Sequence, residues 1–139
     1  MKFSTPAEIA QLLRRHDIYP TRQRIGIASV LFSRGEHLSA EDIFALVNSD
    51  SSDVSKATVY NTLSLFVQRG LIREVVADPA RIFYDPNTTL HHHFYNTATG
   101  KLTDIPIEEV CISALPALPG GMCMEGIEVI VRLRPTDSN

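Results

Sequence analysis

The hydrophobic period of this chain changes at Gly70, and that change limits the folds open to it. Up to Gly70 the apolar residues recur at helical spacing; beyond it they come in short β-branched and aromatic runs. Thr5-Pro6-Ala7-Glu8 predicts a helix start, with Thr5 as N-cap, Pro6 at N1 and Glu8 completing a capping box. Ile9, Leu12 and Leu13 then share a face. HDIYP (16–20) breaks the pattern. Residues 21–33 resume it with Ile25, Ile27, Ala28, Leu31 and Phe32, and Gly35 is placed to close the helix. Ser39-Ala40-Glu41-Asp42 opens a third helix, and NSDSSD (48–53) reads as a polar loop. Ser55 or Asp53 caps a fourth helix, KATVYNTLSLFVQR, which Gly70 ends. LIREVVA and RIFYD, joined by Asp78-Pro79-Ala80, then predict a hairpin. Three helices and a hairpin, after an N-terminal helix, follow the order of a winged helix-turn-helix.

From about residue 87 the pattern differs. LHHHFYN and KLTDI flank TATG as a second hairpin, IEEVCISAL predicts a helix stopped by Pro116, and IEVIVRLR alternates as a strand. The expectation is an α+β chain: a winged helix-turn-helix domain over 1–85 and a small α/β domain over 86–139. The second has little core of its own and exposed sheet edges, so it is expected to complete itself as a homodimer or higher oligomer.

Composition narrows the function classes. With 139 residues, 44% of them hydrophobic, the chain can fill one domain or two small ones. No apolar stretch approaches the roughly 20 residues that span a bilayer, and the N-terminus lacks a signal-peptide core. A soluble cytoplasmic protein with no membrane partner is expected. Cys111 and Cys123 read as free thiols, and two cysteines cannot build a four-cysteine zinc site within one chain. The net charge of −3 argues against nucleic-acid binding, but the charge is uneven. Residues 54–73 hold Lys56, Arg69 and Arg73 and no acid, and local patches steer toward phosphate more than totals do.

A recognition helix needs small or polar side chains at its N-terminal end and apolar ones behind. The helix from Lys56 offers Thr58, Tyr60, Asn61 and Thr62 for one face, and Val59, Leu63 and Phe66 for the other. Lys56, Arg22 and Arg24 are placed to meet phosphate, and Arg81 sits on the wing. An ordinary amphipathic helix with a solvated face explains the same residues equally well, so the order of elements carries the argument for double-stranded DNA.

The run LHHHFYN raises the second question. Alternate strand residues point the same way, so His91 and His93 share a face and His92 takes the other. Asp85 ends the wing strand, Asp104 lies on the partner strand of the TATG hairpin, and His37 precedes the Ser39 helix. Three histidines and two aspartates form a nitrogen and oxygen shell suited to ferrous iron, manganese, cobalt or zinc. Haem is the other ligand the run admits, through His91, His92 or His93.

"PTRQRIGI", "HLSAEDIF", "KATVYNTLSLFVQRGLI" and "HHHFYNTATGKLTDI" together resemble the ferric uptake regulator superfamily over nearly the whole chain. The resemblance implies a dimeric regulator that reads AT-rich palindromes, with a regulatory metal on His37, Asp85, His91, His93 and Asp104. Ferrous iron or manganese is the expected metal, with zinc binding in vitro. The family's two CxxC pairs are missing: Asn96 and Thr99 stand at the first, and the chain ends VRLRPTDSN at the second. Together with HHH and two following aromatics, this makes the chain look most like the iron response regulators of α-proteobacteria, haem-responsive regulators of iron and haem metabolism genes. No Cys-Pro haem motif is present. The alternatives are a peroxide- or manganese-sensing regulator of the same fold, a small metalloenzyme, and a haem or metal carrier. No general base or substrate pocket is legible, so the chain reads as a non-enzyme.

Overall fold

The computed structural model describes residues 5–34, 37–49 and 53–137, which form two compact units, Met1–Thr88 and Thr89–Asn139. The expected helix stop at Gly35 and the middle of the NSDSSD loop lie outside the described residues. The first unit runs α1 (Pro6–Arg15), α2 (Arg22–Arg34), β1 (Leu38–Ser39), α3 (Ala40–Val47), α4 (Lys56–Gln68), β2 (Arg73–Asp78) and β3 (Arg81–Asp85). Side-chain oxygens cap the starts of all four helices, Thr21 Oγ1 serving α2 by accepting the Arg24 N–H at 3.2 Å. Thr5 Oγ1 accepts the Glu8 N–H at 3.2 Å, and Ser55 Oγ accepts the Thr58 N–H at 3.1 Å. Ser39 and Asp42 close a reciprocal capping box. Each bond satisfies an amide that the helix itself leaves unpaired. Asp17, with φ 58°, turns the chain after α1, and Gly70, with φ 74°, turns it after α4. The latter conformation is cheap only for a residue without Cβ.

The helices meet through their apolar stripes. Ile9 and Leu13 of α1, Ile27 and Leu31 of α2, Ile43 of α3, and Val59, Leu63 and Phe66 of α4 form one buried cluster. Burying each such side chain contributes about 1.5–3 kcal/mol. Asn48 joins the third and fourth helices: its amide donates to Phe44 O and Val54 O and accepts from Val54 N–H. The wing is a three-stranded antiparallel sheet in the order β1-β3-β2. Sequence periodicity does not show β1, since two residues carry no period. It exists because Leu38 and Ser39 pair with Tyr84 and Phe83. Helices packed on a hairpin wing in this order make the unit a winged helix-turn-helix.

The second unit holds β4 (His92–Asn96), β5 (Leu102–Ile105), a 3-10 turn (Ile107–Glu109) and β6 (Ile130–Leu133). β4 lies at the centre, antiparallel to β5 and parallel to β6. The β4–β5 turn is closed by Asn96, whose Oδ1 accepts the N–H groups of Ala98 and Thr99, and by Gly100 at φ 75°. Thr97 ties that turn to the end of β6 through two hydrogen bonds to Leu133 O. These polar contacts occupy the place where the resemblance expects a CxxC pair.

The helix expected over IEEVCISAL is absent: after the 3-10 turn the chain runs without helix or strand to residue 129. Pro106 and Pro116 confine any helix there to under three turns, and Val110 and Ile112 are β-branched. A helix that short forms only when packing seats it, and Ile112, Leu115 and Leu118 are all exposed. The strand expected over IEVIVRLR shortens to Ile130–Leu133.

Candidate metal centre and nucleic-acid face

In the first unit the β1–β3 register continues one residue outward, so His37 falls opposite Asp85. His37 Nε2 and Asp85 Oδ2 stand 3.1 Å apart, with both side chains largely buried. Asp85 Oδ1 accepts the Asn87 N–H at 2.9 Å, which fixes the carboxylate with its second oxygen toward the imidazole. A buried carboxylate needs such partners to stay charged.

In the second unit His93 and Asp104 are direct cross-strand partners. Asp104 Oδ1 lies 3.1 Å from His91 Nε2 and 3.4 Å from His93 Nε2. The two rings are 4.5 Å apart and tilted by 60°. His91 Nδ1 lies 2.7 Å from Thr89 O. A carbonyl only accepts, so Nδ1 carries a hydrogen, and Nε2 is the nitrogen turned toward Asp104. Two imidazole nitrogens and a carboxylate oxygen thus face one another. Around an ion with bonds of about 2.1 Å, neighbouring donors sit about 3.0–3.4 Å apart, which is the spacing seen here. This donor set suits a divalent cation of the iron, manganese, cobalt or zinc kind.

His92 faces the other way. Its Nδ1 accepts the Val129 N–H at 2.9 Å, so that lone pair is spent on holding β4 to the segment before β6. Haem ligation needs an imidazole presented to a wide planar ring. His91, His92 and His93 are 6%, 4% and 0% exposed, and the Nε2 atoms of the outer two face Asp104. The arrangement fits a bare ion better than a porphyrin. Cys111 and Cys123 are both exposed thiols.

The α4 face is built differently. Lys56, Tyr60 and Asn61 are exposed, Thr58 is half-buried, and Val59, Leu63 and Phe66 face the core. Thr62 was expected outward but is buried, because it falls inside the 59–62–63–66 stripe. Arg22 is exposed at the α2 start. Arg24 is partly committed, since its Nη1 donates to Tyr19 O at 2.9 Å. Two concavities flank α4. One, of about 250 Å³, is lined by Thr21, Gln23, Arg24, Thr58 and Asn61. The other, of about 370 Å³, lies toward the wing and is lined by Glu41, Asp42, Tyr60, Arg81 and Tyr84. Arg81 sits 5.4 Å over the Phe83 ring.

Sequence reasoning missed two acids. Tyr60 Oη donates to Glu41 Oε1 at 2.6 Å. That bond holds the Glu41 carboxyl below its usual range and pushes the Tyr60 hydroxyl up. Glu41 had read only as a first-turn helix acid, and nothing local links it to a residue nineteen positions on. The second is Glu128, whose Oε1 lies 3.3 Å from His93 Nδ1.

The profile of the ferric uptake regulator family matches residues 16–114 of the chain. A peroxide-responsive repressor of Staphylococcus aureus is 33% identical over 92 residues, 66% of this chain and 62% of that repressor. The match therefore spans less than two thirds of its relative's length. The ferric uptake regulator of Pseudomonas aeruginosa with manganese gives a TM-score of 0.68 at 21% identity, over 91% of this chain and 97% of that one. The Vibrio cholerae ferric uptake regulator gives 0.72 at 18% identity, over 91% and 98%. At these identities the two superpositions speak for the fold.

Proposed function

The chain belongs to the ferric uptake regulator family, and from that premise we propose that it is a metal-responsive DNA-binding transcriptional regulator rather than an enzyme. The observation that carries this reading is the convergence of His91 Nε2, His93 Nε2 and Asp104 Oδ1. The resemblance adds His37 and Asp85 as the remaining two ligands, and within the first unit these form a close pair of their own. Ferrous iron or manganese would bind these five residues. The ion supplies a charge that neutralises the two carboxylates and a bond geometry that all five side chains must share. His37 and Asp85 on one side, and His91, His93 and Asp104 on the other, would then hold the two units in one arrangement. A bound ion would act only through a difference in affinity between that arrangement and others.

In this reading residues 1–85 form the DNA-binding domain. Tyr60, Asn61 and Thr58 read base edges of an AT-rich palindrome, and Lys56, Arg22, Arg24 and Arg81 meet phosphates. Residues 86–139 form the dimerisation and sensing domain. The exposed Ile112, Leu115, Leu118, Met122 and Met124 support a second copy as its partner. Among the described residues no helix is long and apolar enough to cross a membrane, and the cytoplasm is the proposed location. Iron and haem metabolism genes are the proposed targets, by likeness to the iron response regulators. Haem as a second effector has no support in the geometry of the histidine run.

The test is a DNA-binding titration on an AT-rich palindrome with chelated protein, then with manganese or ferrous iron, then with haem. The reading expects metal to change DNA affinity by roughly 5- to 150-fold, the usual range of coupling between sites. Equal affinity with and without metal overturns it. A peroxide sensor is the second reading, favoured by the Staphylococcus aureus relative. It expects the iron-loaded protein to gain an oxygen mass on His37 or His91 after peroxide, and an unchanged mass removes it.

Glu41 yields a separate expectation. Its carboxylate lies on the proposed DNA face and holds the Tyr60 hydroxyl. Glu41→Gln should tighten operator binding roughly two- to fivefold, the equivalent of the up to about 1 kcal/mol that an exposed charged contact is worth. Fluorescence anisotropy at fixed salt measures this. Weaker binding would mean that the carboxylate itself contacts the DNA.

A further inference from the structure

We infer that Glu128 is a positioning residue for His93: it holds the hydrogen on Nδ1 and so presents Nε2 to a divalent cation. The inference rests on the metal-site reading above and adds to it a residue outside the ligand set. Three contacts within the second unit carry it. His93 N–H donates to Val129 O at 3.1 Å, and Val129 N–H donates to His92 Nδ1 at 2.9 Å. This pair of bonds from neighbouring β4 residues pins the backbone at residue 129. The side chain of the preceding residue is thereby delivered to His93, where Glu128 Oε1 lies 3.3 Å from Nδ1.

The ring of His93 is fully buried between two carboxylates, Glu128 3.3 Å from Nδ1 and Asp104 3.4 Å from Nε2, and neither contact closes a hydrogen bond as it stands. A neutral imidazole has one hydrogen to donate. Asp104 Oδ1 is shared with His91 Nε2, and a cation there needs lone pairs from all three atoms. The hydrogen of His93 then belongs on Nδ1, facing Glu128. A carboxylate behind a ligating imidazole fixes the ring's orientation and raises its basicity. Thr89 O does the first of these for His91; with a cation on Nε2, Glu128 would do both for His93. The two histidines are thus held from behind by different groups, one neutral and one anionic.

The test is a chelator-competition titration of the full chain with manganese and with zinc. It compares the unaltered protein with Glu128→Gln, Glu128→Ala and Asp104→Ala. Glu128→Ala should weaken metal binding roughly 10- to 100-fold, the range for outer-shell partners. Glu128→Gln keeps an acceptor oxygen but no charge, so it should fall between Glu128→Ala and the unaltered protein. In the zinc-loaded protein, nitrogen-15 NMR should show His93 coordinated through Nε2 with a protonated Nδ1, and Glu128→Ala should shift that Nδ1 signal. The clamp at Val129 does not involve the Glu128 side chain, so the melting temperature should hold. If Asp104→Ala loses metal while Glu128→Ala binds it as the unaltered protein does, the metal site stands and the role of Glu128 is overturned. Equal losses in Glu128→Gln and Glu128→Ala with a lowered melting temperature also overturn it, in favour of a packing role. If the unaltered protein binds neither metal, the metal-site reading itself fails and this inference with it.

Discussion

Asp104→Ala is expected to lower manganese affinity by more than about 100-fold, since outer-shell partners alone are worth roughly 10- to 100-fold. Asp104 Oδ1 lies 3.1 Å from His91 Nε2 and 3.4 Å from His93 Nε2. Removing it takes away the carboxylate that both buried imidazoles share. The side chain is 53% exposed, so its loss opens no cavity in the sheet. Thermal stability of the metal-free protein should therefore change little, which separates loss of the site from loss of the fold. In the proposed regulator the same variant should bind operator DNA equally with and without manganese. Isothermal titration with manganese checks the first expectation and anisotropy the second. Manganese affinity within a few-fold of the unaltered protein would remove Asp104 from the ligand set.

Phe66→Ala is expected to destabilise the protein by about 3–5 kcal/mol, the range for truncating a fully buried aromatic side chain. Phe66 has no exposed surface and belongs to the cluster that joins all four helices. Its carbonyl also accepts the Leu71 N–H at 2.9 Å, so it sits where α4 hands the chain to the wing. Neighbouring Leu63 and Val59 are equally buried, and relaxation fills such a cavity only in part. Because α4 carries Tyr60 and Asn61, the same change should weaken DNA binding without removing any side chain of the proposed DNA face. Urea denaturation followed by circular dichroism measures the first effect. A loss below about 1 kcal/mol would show that the cluster repacks freely, outside the range for such truncations.

The parts of the fold legible in sequence are those set by local chemistry. Thr5, Ser39 and Ser55 announce helix starts because their oxygens accept amides three residues on. Asp78-Pro79-Ala80 announces the wing turn, and TATG the second, through the conformations those residues favour. His91 and His93 could be put on one side, and Asp104 opposite them, because strand alternation and a short turn fix register. What was not legible depends on distant pairing. Strand β1 exists only by its pairing with β3, and the contact of His37 with Asp85 follows from that pairing. The missing helix after Pro106 reflects apolar residues that find no core within this chain. Glu128 and Glu41 lie 35 and 19 residues from the groups they hold, beyond the reach of any periodic pattern.

In the proposed regulator one metal ion and one DNA site are linked through this chain, and linkage is reciprocal. The most direct test measures manganese affinity of the full chain with and without saturating operator DNA. DNA should tighten manganese binding by the same factor by which manganese tightens DNA binding. Manganese affinity indifferent to operator DNA would contradict it.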